Sequence, residues 1–171
     1  MTFSIVARCK KTGMLGMAVS TARPAVGSLA VYVKAGVGAI ASQAALNPYF
    51  GINGLKYLEQ GMSAEEVMEK VKSEDAEFER RQLAIVDNEG RTAGYTGTDT
   101  VPWDGHYFGD QFVVAGNMLV GEEVVQEILA VKIDRNDQSG TSSWWRQTWS
   151  TVSSSKSIRQ TAISNRRFTG R

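Results

Sequence analysis

The sequence predicts an α+β domain built as a four-layer αββα sandwich, in which helices flank two antiparallel sheets packed face to face. The predicted elements run as several strands, two helices, several strands and one helix, so strands and helices are segregated rather than alternating. Two predicted strands, 29–33 and 36–43, are apolar nearly throughout, as expected where both faces of a strand are covered. The length of 171 residues suits a single domain.

The first strands are predicted from the alternation of apolar and polar residues and from the residues that interrupt it. Residues 2–7 alternate and are rich in β-formers, which predicts a strand. A turn over 10–13 leads into a second strand over 14–20, which completes a hairpin. Pro24 then breaks the pattern, because proline lacks the N–H that a sheet ladder needs. The two apolar strands follow it.

Helix signals begin where the first group of strands ends, at Asn47-Pro48, and a short helix is predicted over 51–59. Ser63 and Glu66 form a capping box for a second helix, which carries an apolar stripe. The later elements are predicted as strands over 81–87, 91–97 and 112–116 and a helix over 121–131.

Composition excludes several classes of protein. Cys9 is the only cysteine, so the chain forms no internal disulfide and suits a reducing compartment. No window approaches the roughly 20 apolar residues of a membrane span. Residues 2–7 are followed at once by Arg8, which leaves no apolar core for a signal peptide. The formal net charge is +1. We therefore expect a cytoplasmic protein that has neither a membrane nor a nucleic acid as its partner.

The balance of charge changes abruptly near the end of the chain. Residues 139–171 contain six basic side chains and no acidic one, whereas 19 minus 6 basic and 18 acidic side chains remain in residues 1–138, a net charge of −5. Three of the four tryptophans also lie beyond residue 139. The sequence therefore predicts a domain over 1–138 and a poorly ordered basic tail over 139–171.

Thr2 is the sharpest candidate for chemistry. Removal of the initiator Met1 is expected when the next residue is small, and it would leave a free α-amino group on Thr2. Such a group has a pKa of about 8, so it can act as the base for the hydroxyl on the same residue. The alternative is that the chain simply starts with Met-Thr, as many proteins do.

Asn117 is a second candidate because it ends a predicted strand just before a helix. There its side-chain amide is placed to donate a hydrogen bond to a developing oxyanion. The alternative is that asparagine tolerates the backbone of the turn. Spacing alone does not decide between these interpretations.

Other motifs favour structural roles. The G-x-G-x-x-A pattern of 36–41 has no room to open a helix, so no dinucleotide is predicted. His106 is interpreted as a loop histidine, since no G-x-S-x-G elbow accompanies it. One histidine and one cysteine cannot build a nitrogen and sulfur metal site. We expect no cofactor and no metal.

Taken together, many short segments of the chain resemble the domain-of-unknown-function family 1028. The resemblance covers roughly residues 2–131. The segments that carry it are 2–8, 12–13, 16–20, 24–27, 36–39, 43, 47–49, 51, 54–55, 61–66, 81–83, 85–87, 90–91, 96–97, 103, 105–106 and 116–119. This family is grouped with the N-terminal-nucleophile (Ntn) hydrolase-like folds. The resemblance therefore implies that fold, in a form that lacks its last strands.

The resemblance also implies a set of site residues. The residues that it places at strand ends for substrate binding are Ser20, Thr21, Arg23 and Gln43. From their own chemistry, Thr2 is expected to be the nucleophile and Asn117 or backbone N–H groups to stabilise the oxyanion. The general Ntn pattern expects a lysine near the nucleophile, and Lys34, the only nearby strand lysine, is not expected to correspond to it.

Three hypotheses about function follow. The first is an amide-bond hydrolase that acts on a small-molecule or peptide-like amide. The second is a non-catalytic binding or structural protein on the same fold, and the third is a binder that uses the basic tail on nucleic acid or a membrane surface. Sandwiches of this kind often assemble through their outer helices, so a homo-oligomer is also expected.

The tail carries a prediction of its own. The family pattern should continue with Gly-Gly-Asp-Lys-Arg-Gly, and codons permitted for residues 144–149 spell that motif when they are read one base later. Tryptophan has a single codon, so Trp144 and Trp145 force both glycines. We predict that residues from about 139 onward are translated in a shifted frame. The nucleotide sequence checks this, and offset codons that do not spell the motif would rule it out.

Overall fold

The computed structural model describes residues 1–135, so the predicted tail over 139–171 lies outside the described residues. The described chain holds eight strands, four helices and a 3₁₀ turn at Phe78–Arg80. The strands are β1 Thr2–Arg8, β2 Leu15–Thr21, β3 Val31–Lys34, β4 Gly38–Ala44, β5 Arg81–Asp87, β6 Thr92–Thr96, β7 Gly105–Gly109 and β8 Phe112–Asn117. The helices are α1 Gly27–Ala30, α2 Pro48–Glu59, α3 Ala64–Ser73 and α4 Glu123–Arg135.

Two four-stranded antiparallel sheets form the centre of the structure. One sheet has the strand order β2-β1-β8-β7 and the other has the order β3-β4-β5-β6. The prediction of an α+β protein with two antiparallel sheets is therefore confirmed. In the first sheet Thr2 at the start of β1 is paired with Thr21 on one side and Asn117 on the other. Chain direction thus brings the start of β1 and the ends of β2 and β8 to one edge.

Three apolar clusters define the layers of the sandwich. Small and β-branched side chains of β1, β4, β5 and β8, including Val6, Ala41 and Val113, pack between the two sheets. Phe3 and Ile5, on the other face of β1, pack against α4. A third cluster covers the outer face of the second sheet with α2 and α3. The alternation of a strand explains this division, because successive side chains point to opposite faces.

The structure contains the two helices that the sequence predicts directly after residue 47. Ser63 accepts from the Glu66 backbone N–H and the Glu66 side chain accepts from the Ser63 N–H, which confirms the capping box. Helix α2 starts earlier than predicted, at Pro48, because Asn47 caps it and proline is favoured in the first turn.

Two local predictions are wrong. Leu29 and Ala30 belong to the short helix α1 rather than to a strand, and only Val31–Lys34 enters the sheet. His106 is not in a loop, since it lies in β7 opposite Ala115 of β8. The backbone N–H groups of Leu29 and Ala30 donate to the Val26 carbonyl and close a helical turn before β3 begins, whereas pairing with β8 holds His106 in a strand.

We predict that Gly97→Ala lowers the free energy of unfolding by about 3 kcal/mol, measured by urea denaturation. A Cβ at this position would lie 2.1 Å from the backbone carbonyl oxygen of Glu79, which cannot rotate away as a side chain can. The control is Gly27→Ala, where a Cβ meets no atom within 4 Å and helix propensity rises. Equal stability of the two variants would contradict the prediction.

Candidate functional site

An open cleft of about 710 Å³ lies where the two sheets separate at one end of the sandwich. Its walls come from the start of β1, the ends of β2, β4 and β8, and the segments next to β5 and β6. Its lining residues are Met1, Thr2, Thr21, Ala22, Arg23, Ala44, Ala45, Arg80, Asp99, Thr100, Val101, Asn117 and Met118. Thr2 therefore faces a concavity from the central position in its sheet.

A chain of hydroxyl groups surrounds Thr2. The Thr21 hydroxyl donates to the carbonyl oxygen of Met1 at 2.9 Å and lies 3.0 Å from the Thr2 hydroxyl. A hydroxyl has only one proton to donate. Because Thr21 uses its proton on Met1, the Thr2 hydroxyl is the donor in the contact between the two threonines.

The amino terminus sits at the same place. Burial and the nearby positive charge of Arg23, in that order of size, lower the pKa of the Met1 α-ammonium below its ordinary value. The amine is also within 3.5 Å of the Met118 sulfur. An amine at this edge of the sheet therefore has an increased neutral fraction near neutral pH, which is the form that acts as a base.

The floor of the cleft is a buried network of amide side chains centred on Gln82. The Gln82 carbonyl oxygen accepts from Gln43 Nε2 at 2.6 Å and from Asn117 Nδ2 at 3.0 Å. The Gln82 amide nitrogen donates toward the carbonyl oxygens of Gly116 at 2.8 Å and Gly105 at 3.1 Å. Gln82 thus joins its own sheet to the strands β7 and β8 of the other sheet and fixes Asn117.

His106 closes the far end of this network. Gln82 also contacts the Thr96 hydroxyl at 2.9 Å, and that hydroxyl lies 2.8 Å from Nδ1 of His106. Burial lowers the pKa of His106, so the ring is held neutral. Neutral histidine suits a hydrogen-bonding role between the sheets, and His106 does not line the cleft.

Charged side chains occupy the rim. Within the described residues Arg80 is paired with Glu77 at 2.7 Å, whereas Arg23 and Asp99 have no ion pair. Asp99 lies in a segment that is anchored by Glu79. The Glu79 carboxylate accepts hydrogen bonds from the Thr98 N–H, the Thr98 hydroxyl and the Tyr95 hydroxyl. These hydrogen bonds lower the pKa of Glu79 to about 2.

The structure brings some of the predicted site residues together and separates others. Thr2, Asn117, Thr21 and Arg23 line one cleft. Gln43 lies beneath the cleft in the buried network, and Ser20, which pairs with Phe3, is not among the lining residues.

Three further predictions concern groups away from the cleft. Lys34 pairs with Glu59 and lies opposite Gly38, at the far end of β4 from the cleft. Most of the G-x-G-x-x-A segment forms strand β4, as predicted. In the part of the chain that the structure describes, no group of three or more His, Cys, Asp or Glu side chains is arranged to hold a metal ion.

Sequence reasoning missed the roles of Gln82, Asp99 and Arg80. Gln82 stands in an ordinary strand sequence, and no local pattern marks a glutamine whose partners lie on four other strands. Asp99 and Arg80 belong to connections next to the sheet, and only folding brings them to the edge where Thr2 lies.

Among residues 1–135, no helix combines the length and apolarity needed to cross a bilayer.

Fold and site together define an α+β sandwich protein with a polar cleft at its N-terminal strand. The chain belongs to the family of unknown function DUF1028, whose family model matches residues 2–139. It is similar to the crystal structure of protein SPO2555 from Silicibacter pomeroyi, which carries the same family designation, with a TM-score of 0.77 and 29% sequence identity. The similarity covers 86% of this chain and 63% of that one, so this chain spans less than two thirds of that relative. No curated protein matches the chain.

We predict that Gln82→Leu lowers the free energy of unfolding by about 3 kcal/mol, because it leaves buried amide and carbonyl groups without partners. Urea denaturation measures the change. The control is Gln60→Leu, at an exposed position just after α2, which should shift stability by no more than about 0.5 kcal/mol. A cost at Gln82 no larger than at Gln60 would show that the network does not hold the sheets together.

Proposed function

We propose that the protein is an amide-bond hydrolase of the Ntn type, whose nucleophile is the Thr2 hydroxyl after removal of Met1. The observation that carries this proposal is the position of Thr2. Thr2 starts β1, one of the two central strands of its sheet, and faces the cleft. It lies between Thr21, a hydroxyl partner for a nucleophile, and Asn117, an amide donor for an oxyanion. The fold, with two antiparallel sheets between helices, is compatible with the Ntn architecture.

Removal of Met1 changes the hydrogen bonds around Thr2. The Thr21 hydroxyl loses the Met1 carbonyl as its acceptor. Its proton becomes available to the Thr2 hydroxyl, and the new α-amino group of Thr2 stands beside that hydroxyl. Burial and the charge of Arg23 lower the pKa of the Met1 amine, and our proposal assigns the same influence to the amine of Thr2, where it would favour the neutral base.

The proposed reaction balances without a cofactor. The Thr2 oxygen attacks the amide carbon as its proton passes to the α-amine, and the carbonyl electron pair moves to oxygen. Collapse of this tetrahedral state breaks the C–N bond, and the α-ammonium returns the proton to the departing amine. Water, deprotonated by the same amine, then attacks the Thr2 ester, and the α-ammonium returns the proton to the Thr2 oxygen as the C–O bond breaks and the acid is released.

Asn117 supplies the oxyanion donor in this proposal. Its amide nitrogen carries two protons, and Gln82 accepts one of them at 3.0 Å. The second proton is the one we assign to the oxyanion. Gln82 acts here as a positioning residue, since it fixes the Asn117 amide without lining the cleft.

A second candidate is a binding protein that uses the same cleft without catalysis. The observation that favours it is the Met1 carbonyl, which accepts a hydrogen bond from Thr21 and so fits this edge well. The two candidates differ in one property: catalysis requires a free amine on Thr2, and binding does not.

We predict that activity on amides depends on exposing Thr2. A chain made with a removable N-terminal extension should be inactive, and cleavage that leaves Thr2 first should switch activity on, with the N-terminus checked by mass spectrometry. In the exposed form Thr2→Ala should reduce kcat at least about 10³-fold, because the nucleophile is lost. Thr2→Ser should retain activity.

The matched control is Thr12→Ala, at an exposed hydroxyl in the β1–β2 turn, which should leave kcat unchanged. A lactam probe gives an independent readout, since a covalent adduct on the N-terminal peptide should form only with residue 2 exposed. Equal activity with and without the extension would refute the proposed chemistry.

A further inference from the structure

We infer that the cleft is built for a dipeptide-like zwitterion whose N-terminal residue is apolar, with the peptide bond placed over Thr2. The inference rests on the proposed function for the cleavage step, but the ligand class is argued from the cleft itself. Its basis is the placement around a central hydroxyl of an apolar lip and of one cationic and one anionic side chain that have no ion pair within residues 1–135.

Strand order sets the direction of the ligand. In the sheet β2-β1-β8, Thr2 starts the central strand, β2 runs on one side into Arg23, and β8 runs on the other side into Met118. Neighbouring strands lie about 4.8 Å apart, so the two flanks are separated by about 10 Å. A ligand that spans them therefore presents its middle to Thr2.

The charges on the rim differ between the two flanks. Arg23 lies on the β2 flank and has no ion pair among the described residues. Asp99, also without an ion pair in residues 1–135, precedes Val101, whose carbonyl oxygen accepts from the Met118 N–H at 2.9 Å. Asp99 is thereby placed with the β8 flank. No salt bridge joins Arg23 to Asp99, so each charge is free to bind an opposite charge on a ligand.

Arg80, the third charged side chain in the lining, already has an ion pair. Arg80 donates to Glu77 at 2.7 Å, so its guanidinium does not need a ligand to balance it. Among the charged side chains that line the cleft, one cation and one anion are thus left without an ion pair within residues 1–135. This arrangement fits a zwitterion better than a dicarboxylate or a polyamine.

The β8 flank also has an apolar surface. Val101 is 49% exposed and Met118 is 47% exposed, and the backbone hydrogen bond between them makes this lip part of the structure. An apolar side chain on the ligand would remove this surface from water. The residue that sits here is the acyl part of the peptide, since the same flank holds Asp99.

These placements give a single orientation. The free ammonium of the first residue faces Asp99, its apolar side chain covers Val101 and Met118, and the carboxylate of the second residue faces Arg23. The peptide bond then lies over Thr2, with its carbonyl oxygen on the side of Asn117. Cleavage releases the first residue from the Thr2 ester and the second residue as the free amine.

The test uses three related compounds with the exposed-Thr2 protein: leucyl-alanine, its N-acetyl derivative without the ammonium, and its C-terminal amide without the carboxylate. Hydrolysis of leucyl-alanine should have a kcat/KM about 10-fold or more above either neutralised compound. Isothermal titration calorimetry of the same compounds should show the same order of affinity.

Two variants assign each charge to its residue. Arg23→Gln should lower kcat/KM for leucyl-alanine about 10-fold or more beyond its effect on the C-terminal amide, whose hydrolysis reports the change in the amine pKa alone. Asp99→Asn should lower it for leucyl-alanine and leave the N-acetyl compound unaffected. The controls are Lys11→Gln and Asp110→Asn, which change the same charges in or near the two hairpin turns and should have no effect.

The outcomes separate the two proposals. Hydrolysis that is equal for all three compounds, or lowered equally for all by Arg23→Gln, would overturn the ligand class and leave the chemistry standing. Charge-dependent binding of leucyl-alanine without hydrolysis of any amide would support the ligand class and overturn the chemistry. The absence of both hydrolysis and binding of leucyl-alanine would overturn the ligand class.

Discussion

The side chain of Gln82 joins the two sheets at the cleft end through hydrogen bonds that cross the sandwich. It accepts from Gln43 on the neighbouring strand and from Asn117 on the opposite sheet, and it donates to the backbone of Gly116. A buried amide is costly unless its donors and acceptors are paired, so these contacts specify one relative position of the sheets. The hydrogen bond that fixes the Asn117 side chain at the edge above depends on that position, whereas the β1–β8 ladder itself pairs Asn117 with Thr2.

The rest of the inner layer is different in kind. Away from the cleft the sheets meet through small or β-branched side chains such as Ala39, Ala84 and Val113, which pack closely without polar atoms. The interior therefore changes from apolar to polar along the length of β1, since Val6 packs between apolar neighbours and Thr2 faces the open cleft. That gradient allows the sandwich to be stable at one end and open at the other.

The charged rim belongs to connections rather than to strands. Arg23 follows β2, and Asp99 lies after β6 in a segment held by Glu79. Connections carry function in many folds because a rigid scaffold holds them while their sequences stay free to vary. Here the scaffold holds a cation and an anion on either side of one hydroxyl, which is why the ligand we propose carries both charges.

Much of the architecture followed from pattern alone. Segregated strands and helices indicated two antiparallel sheets, and the capping box of Ser63 placed the start of α3, because these signals come from residues close together in the chain. The short elements were harder: α1 and β7 are set by packing and pairing, so Leu29 and His106 were assigned to the wrong structures. Thr2 and Asn117 could be proposed from the sequence because each stands at a strand end, and the structure places both in the lining of the cleft.

The sequence by itself determined the kinds of element and the division of each strand into two faces, and it offered Thr2 as a candidate nucleophile. Only the tertiary structure decided which groups meet Thr2. The contacts from Gln82 to Asn117 and from Thr21 to Met1 join residues between 20 and 35 positions apart. Such distances along the chain leave no local pattern, because the partners are chosen by how two sheets pack and not by their neighbours in the sequence.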